Sequence, residues 1–303
     1  MDEAPSEITA RVAKARAAFK AIRLDHPAQI DLVAALDELR MTGLASPGTP
    51  MGGIQVLAAW GTGKSTAAAM FKTYVEGLSA PAEGRKPVVI ATLDTTGTAK
   101  SVPMSILAAL GSPRPDVGSE PRLWFRAKAD LRDSAVEMLI LDEIDRATRR
   151  PMMSAHIAGS LRDLADEGIV PVAYLGTEAA RSLFRNCADL DERLDAPVTL
   201  NPLDLLLEED LEIFTVLVRG FDERMVADGI LRRKSGLDDK TTVRLLGEAS
   251  SGILRRLARI IETAMIAVVR RNGAAIEPAD LADAVDAWAI PKGHIAYNPF
   301  RAR

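Results

Sequence analysis

The stretch Ile54-Gln-Val-Leu-Ala-Ala-Trp-Gly-Thr-Gly-Lys-Ser-Thr66 constrains this chain more than any other. It reads as a short apolar strand, a glycine turn, then a helix opened by Lys64 and Ser65. That is the phosphate-loop pattern G-x-x-x-x-G-K-[ST], with Ala58 where the first glycine would stand. Backbone N–H groups must turn inward to wrap a polyphosphate, and Gly61 and Gly63 can take the left-handed angles this needs. Ala59, Trp60, Gly61, Thr62, Gly63, Lys64, Ser65 and Thr66 are therefore expected to line a nucleotide. The helix N-terminus aims its unpaired N–H groups at the same anion. A chance glycine turn before an alanine-rich helix is the competing reading. It is disfavoured because GKST follows a strand and leads directly into Ala67-Ala-Ala-Met-Phe71.

The rest of the chain reads as a scaffold for that loop. With 303 residues, 48% of them apolar and 26% charged, a packed core is expected rather than disorder. Before the loop, two helices are expected near residues 6–24 and 27–40, the second with an apolar stripe of Ile30, Val33, Leu36 and Leu39. After it, apolar runs alternate with helical patterns: Pro87–Leu93, Met138–Leu141, Val170–Leu175 and an expected fifth strand at Pro197–Leu200. Such alternation predicts an α/β fold, a five-stranded parallel sheet with helices on both faces. Beyond Asn201-Pro202 the strands stop and four helical patterns follow. The expected segments are N-terminal helices 1–40, an α/β core 41–202, a small all-helical domain 203–290 and a tail 291–303. One cysteine, Cys187, excludes an internal disulfide framework, and no stretch has the length of a membrane span. The N-terminus lacks a signal-peptide pattern, so a cytoplasmic location is expected.

Val136-Glu-Met-Leu-Ile-Leu-Asp-Glu-Ile-Asp145 is the second chemical signal. An apolar strand ending in Asp142-Glu143 puts two carboxylates at the C-terminal edge of a parallel sheet, where ligands bind. Asp142 would hold Mg²⁺ together with Ser65, Lys64 would reach the β- and γ-phosphates, and Glu143 would polarise the attacking water. A solvated acidic turn is the bland reading for Asp-Glu alone, and the GKST loop makes it the lesser one. Together the two motifs resemble the AAA+ class of ATPases. The resemblance implies ATP as substrate and a helical lid. It also implies a polar sensor at Thr177, a sensor arginine at Arg255 within Gly252-Ile-Leu-Arg255, and a trans arginine finger. Arg193 is the first finger candidate, Arg185 its rival, and an ordinary surface salt bridge the alternative for either.

A narrower resemblance covers residues of about 25–205. The helix ahead of the phosphate loop and Thr95–Gly111 are similar to the TniB and TnsC transposition ATPases, which are functionally akin to MuB. So are the block Ile169-Val-Pro-Val-Ala-Tyr-Leu-Gly-Thr-Glu-Ala-Ala180 and the later Asp-Leu-Asp-Glu-Arg-Leu. Ala58 departs from that pattern, and so does Asp145, where members often carry His. This resemblance implies an oligomer, a ring or filament, that assembles on double-stranded DNA with ATP and activates a transposase, with a target-selector protein as a further partner. Matching DNA-facing loops hold Thr96, Thr98 and Lys100, then Arg146, Arg149 and Arg150, with a solvated basic loop as the alternative for each. The tail, with Tyr297 and Phe300, is either a docking peptide for the transposase or a segment packed on its own lid. The net charge of −4 confines any DNA contact to local basic patches. The rival functions are a replication initiator or helicase loader, a small-molecule P-loop kinase, and a scaffold that binds ATP without hydrolysing it. The tail is expected to be too short for a winged helix, which ranks the initiator second.

Overall fold

The computed structural model describes residues 5–78, 80 and 83–301; residues 1–4, three positions of the loop after the phosphate-loop helix and the last two of the tail lie outside the described residues. Four strands, β1 (Gly53–Leu57), β2 (Val88–Thr92), β3 (Met138–Asp142) and β4 (Val172–Gly176), form a sheet in the order β1-β4-β3-β2. Every pairing is parallel, with Leu57 opposite Gly176 and Thr92 opposite Asp142. The strands are continuous apolar runs because the sheet is covered on both faces. Alternate side chains go to opposite sides. Leu139, Leu141, Val172 and Tyr174 pack under α4 (Ser101–Leu110), α5 (Glu120–Asp133) and α6 (Pro151–Asp166). Met138, Ile140, Ala173 and Leu175 pack under α2 (Pro27–Ala45) and α3 (Lys64–Gly77). Phe71 of α3 is fully buried there, worth about 1.5–3 kcal/mol for a side chain of this kind.

Two expectations for this unit change. The fifth strand does not form: residues 197–200 carry no ladder, and only Leu194 bridges to Gly53. Gly53 N–H donates to Arg193 O at 3.2 Å and Asp195 N–H to Gly53 O at 2.8 Å, after which Pro197 has no N–H to continue the pairing. In α2 the buried stripe is Gln29, Leu32, Leu36, Leu39 and Arg40, whereas Ile30 is exposed. Arg40 sets that rotation. Its buried guanidinium pairs with Asp37 at 2.8 Å and with Glu137, ahead of β3, at 2.6 Å.

The chain divides into two compact units, Ala28–Asn201 and the remainder, so the two N-terminal helices do not form a segment of their own. Helix α1 (Pro5–Ala21) packs with helices that follow the short α7 (Arg181–Arg185) and α8 (Ala188–Asp191) along the chain, namely α9 (Glu208–Ala227), α10 (Lys240–Ser250), α11 (Leu254–Arg270) and α12 (Pro278–Ala284). Its apolar stripe needed a partner, and Phe19 stacks on Phe221 with ring centroids 5.5 Å apart. Arg11 donates from Nε to Val269 O at 3.1 Å, which satisfies a carbonyl near the end of α11. The tail to residue 301 also packs here, on the helical unit itself. Buried Asn298 donates to Ala282 O at 2.8 Å and Arg301 pairs with Asp286 at 2.7 Å. Among the described residues no helix is long and apolar enough to cross a membrane.

Two expected outcomes test this unit. Gly252 has φ +66°, and a Cβ there would lie 1.9 Å from Leu203 O. Gly252→Ala should lower stability by about 2 kcal/mol or more, read from urea unfolding by circular dichroism. Burial alone would raise the Asp280 pKa, but hydrogen bonds from Arg271 and the Glu277 N–H hold it below 3.8. Its stabilisation is then complete above that value and is lost as pH falls through the lower folded pKa. Asp280→Asn should remove this part of the acid limb in unfolding measured across pH.

Candidate active site

At the edge where the four strands end, β1 runs into the phosphate loop. Ala58 keeps one sheet-like bond, its N–H donating to Gly176 O at 3.0 Å, which explains why a methyl is carried where the pattern has glycine. Gly61 (φ +86°) and Gly63 (φ +106°) then turn the chain. Thr62, buried, closes the turn with a 3.1 Å bond to Ala59 O. Helix α3 starts at Lys64 with no side-chain cap, so its first N–H groups face the space the loop encloses. Lys64 is buried and donates from Nζ to Ala58 O at 2.7 Å and Ala59 O at 2.9 Å. The loop's own carbonyls thus hold the cation beside the turn. Trp60 projects from the loop and Ala59 and Thr66 are exposed.

The loop meets the Asp-Glu turn directly. Ser65 Oγ donates to Asp142 Oδ2 at 2.6 Å, and the other oxygen of this buried carboxylate accepts the Glu143 N–H at 2.8 Å. A hydroxyl and a carboxylate, both hard oxygen donors, therefore sit side by side below the helix N-terminus. Glu143 follows with left-handed backbone angles (φ 56°, ψ 41°), an unusual setting for a residue with a side chain, and its carboxylate pairs with Arg146. From the next strand, Thr177 donates its backbone N–H to Asp145 Oδ1 at 3.0 Å. Lys64, Ser65, Asp142, Glu143 and Thr177 are thus gathered at one end of the sheet by chain segments far apart in sequence.

Two contributors were not singled out by the sequence reading. Gln29 is buried and directs Nε2 at Gly63 O, 3.4 Å away; a Cβ at Gly63 would fall 1.8 Å from that nitrogen. The signal was present, since Gln29 is the lone amide in the stripe with Leu32, Leu36 and Leu39. Asp145 was noted only as a departure from a family pattern, and the fold makes it the link between β4 and the Asp-Glu turn.

The remaining candidates are more dispersed. Arg193 is engaged within the chain, with Nε 2.7 Å from Asp166 Oδ1 and Nη1 on Asp189 O. Arg185 is exposed at the end of a short helix. Arg255 belongs to the other compact unit, exposed on the first turn of α11. The two basic loops converge: Arg149 donates to Thr95 O at 2.9 Å and Arg146 to Leu93 O. Thr96 turns inward onto Asp94 at 2.7 Å, and Thr98 lies 3.3 Å from Ser101 Oγ. Burial alone would raise the Asp94 pKa, and hydrogen bonds from Thr96 and Ser101 outweigh it and keep the group ionised well into acid. Lys100 is spent on Gly118 O at 2.8 Å, while Arg149 and Arg150 are exposed.

Comparison with known proteins follows this geometry. The family model described as "Bacterial TniB protein" matches residues 19–202. No curated protein matches the chain in sequence. Among solved structures, the ORC2 protein of Aeropyrum pernix in its ADPNP-ADP complexes superposes with a TM-score of 0.65 at 14% identity, over 89% of this chain and 70% of that one. The Aeropyrum pernix ORC1 protein in complex with DNA gives 0.61 at 17% identity, over 90% and 69%. Cdc6p of Pyrobaculum aerophilum gives 0.62 at 13% identity, over 88% and 69%. The fold is that of an AAA+ P-loop ATPase, with four strands where five were expected. Lys64→Ala should weaken binding of a fluorescent ATP analogue at least about tenfold, or 1.4 kcal/mol, in a fluorescence titration.

Proposed function

This chain belongs to the TniB family, and on that premise we propose that it is an ATP-dependent regulator of DNA transposition. It would assemble as a ring or filament on double-stranded DNA, select the target site and activate a transposase. The observation that carries the nucleotide chemistry is the 2.6 Å bond between Ser65 and Asp142, which joins the phosphate loop to the Asp-Glu strand. That hydroxyl and carboxylate would hold a Mg²⁺ which, bound with ATP, neutralises charge on the phosphate oxygens. Lys64 would leave its two loop carbonyls for the β- and γ-phosphates. Glu143 would orient the attacking water and accept its proton, and Thr177 would report on the γ-phosphate end. Arg255 would act as a sensor from the helical unit.

Oligomerisation enters through Arg193. As a finger for a neighbour's nucleotide it must exchange Asp166 for phosphate, so hydrolysis would be coupled to assembly. The DNA reading is supported by the convergence of the 94–100 and 146–150 segments, and by relatives in fold whose structures contain DNA. Contacts of this kind would be to the phosphate backbone, tolerant of sequence and sensitive to salt. A transposase and a target-selector protein remain the proposed protein partners. A replication-initiator role is the second reading, favoured by the ORC and Cdc6 folds.

Glu143→Gln should keep nucleotide affinity while turnover falls by about 10²-fold or more in a phosphate-release assay. Wild-type turnover in that variant would remove Glu143 from the mechanism. Electron microscopy with an ATP analogue and duplex DNA should show assemblies that neither component forms alone. Stimulation of the strand-transfer activity of a transposase from the same element would separate the transposition reading from the initiator one.

A further inference from the structure

We propose that β2 is the docking edge for a second copy of this chain, the two strands pairing antiparallel across a two-fold axis at Ile90. This does not rest on the nucleotide or DNA reading. β2 is the last strand in the order β1-β4-β3-β2, so β3 satisfies only one side of it. Pro87 O accepts the Met138 N–H and Leu93 N–H donates to Asp142 O, both at 3.0 Å. Odd-numbered residues therefore bond to β3, and by alternation Val88, Ile90 and Thr92 turn their N–H and C=O groups to the open side. Among the described residues no other segment bonds to these groups. Sheets commonly guard such an edge with a charge, a proline or a bulge, and Val88-Val-Ile-Ala-Thr92 holds none. The opposite edge differs, since Leu194 and Asp195 cover the start of β1.

The edge is complementary to itself. With Ile90 on the axis it meets Ile90 of the second copy, Val88 meets Thr92, and Lys86 comes opposite Asp94. Unlike charges thus face each other at both ends, because a two-fold interface repeats every contact. Helix α4 flanks the same edge and runs antiparallel to β2. Ser101 Oγ donates to Asp94 Oδ1 at 2.8 Å at one end, and Lys86 Nζ donates to Leu110 O at the other. Between these ends Ile90, Thr92, Met104, Ser105, Ala108 and Ala109 line a groove of about 370 Å³. Ala108 and Ala109 are exposed. Their short side chains leave room for α4 of the second copy, which the two-fold brings to the same face. Arg126 fixes the far wall by donating to the carbonyls of Pro113, Arg114 and Val117, so little is left to order on docking. Antiparallel pairing points the two phosphate loops in opposite directions. Each nucleotide site stays open, and neither copy lends the other an arginine.

The test uses the full chain in sedimentation velocity without nucleotide or DNA. The proposal expects a monomer–dimer equilibrium with a dissociation constant below about 100 μM. Thr92→Lys and Ala109→Glu, each doubled by the two-fold, should raise that constant at least about tenfold. Arg193→Ala, which is aimed at nucleotide-dependent assembly, should leave it unchanged. Register is read by oxidative cross-linking in a Cys187→Ser background. Ile90→Cys should give a covalent dimer, because hydrogen-bonded antiparallel partners have Cα atoms about 5.5 Å apart, within reach of a disulfide. Thr92→Cys, placed opposite Val88 rather than itself, should not. A wild type that stays monomeric at about 100 μM overturns the proposal. So does a dimer that persists in either charge variant, or one that is lost in Arg193→Ala. Cross-linking of Thr92→Cys as readily as Ile90→Cys overturns the register. Ala109→Glu sits at an exposed helix position and decides the question if circular dichroism shows that the strand variants melt early.

Discussion

The site depends on parallel register more than on any single side chain. In a parallel sheet every strand ends at the same edge, so loops far apart in sequence become neighbours. Leu57 opposite Gly176 and Thr92 opposite Asp142 fix where the phosphate loop, the Asp-Glu turn and Thr177 emerge. A slip of one residue would turn Met138 and Ile140 toward the wrong layer of helices, which makes the register costly to change. The 2.6 Å contact of Ser65 with Asp142 and the 3.0 Å bond from Ala58 to Gly176 follow from it.

Charge at this edge is compensated internally. Lys64 is held by the carbonyls of Ala58 and Ala59 and Glu143 by Arg146, while at the opposite edge, beside the start of β1, Arg193 is held by Asp166. Each pairing keeps a partly buried charge from standing alone, and on the proposed function each would be exchanged for a phosphate or a water before chemistry proceeds. On the proposed function, an ATPase built in this way would be quiet until nucleotide, a neighbouring copy and DNA supplied better partners.

The helical unit shows a different kind of economy. Its core is assembled from residues at both ends of the chain: Ala15 and Phe19 from α1, and Leu257, Ile261 and Met265 from α11. The tail adds Asn298 and Arg301, which tie it to α12 and the turn after it. Small units bury too little apolar surface to be stable on a few helices, and an extra helix raises that fraction.

Much of this is legible in the sequence because it is local. Glycine spacing in Gly61-Thr-Gly63, the Lys64-Ser65 start of a helix, and the apolar run into Asp142-Glu143 each carry their chemistry within about ten residues. Apolar runs read as strands, and period 3.6 read as helices, because covalent geometry sets those periods. What tertiary structure alone decided are the pairings between distant segments. That α1 leaves α2 and joins the helical unit, that Ile30 faces water while Gln29 reaches Gly63, and that residues 197–200 stop short of a strand each depend on which surface is available to pack against. The partners of Glu143, Thr177 and Arg193 depend on the same thing, since ion pairs form with whatever the fold brings within reach. Propensity and spacing act along the chain, whereas burial and charge pairing act through space, and only the folded chain determines that space.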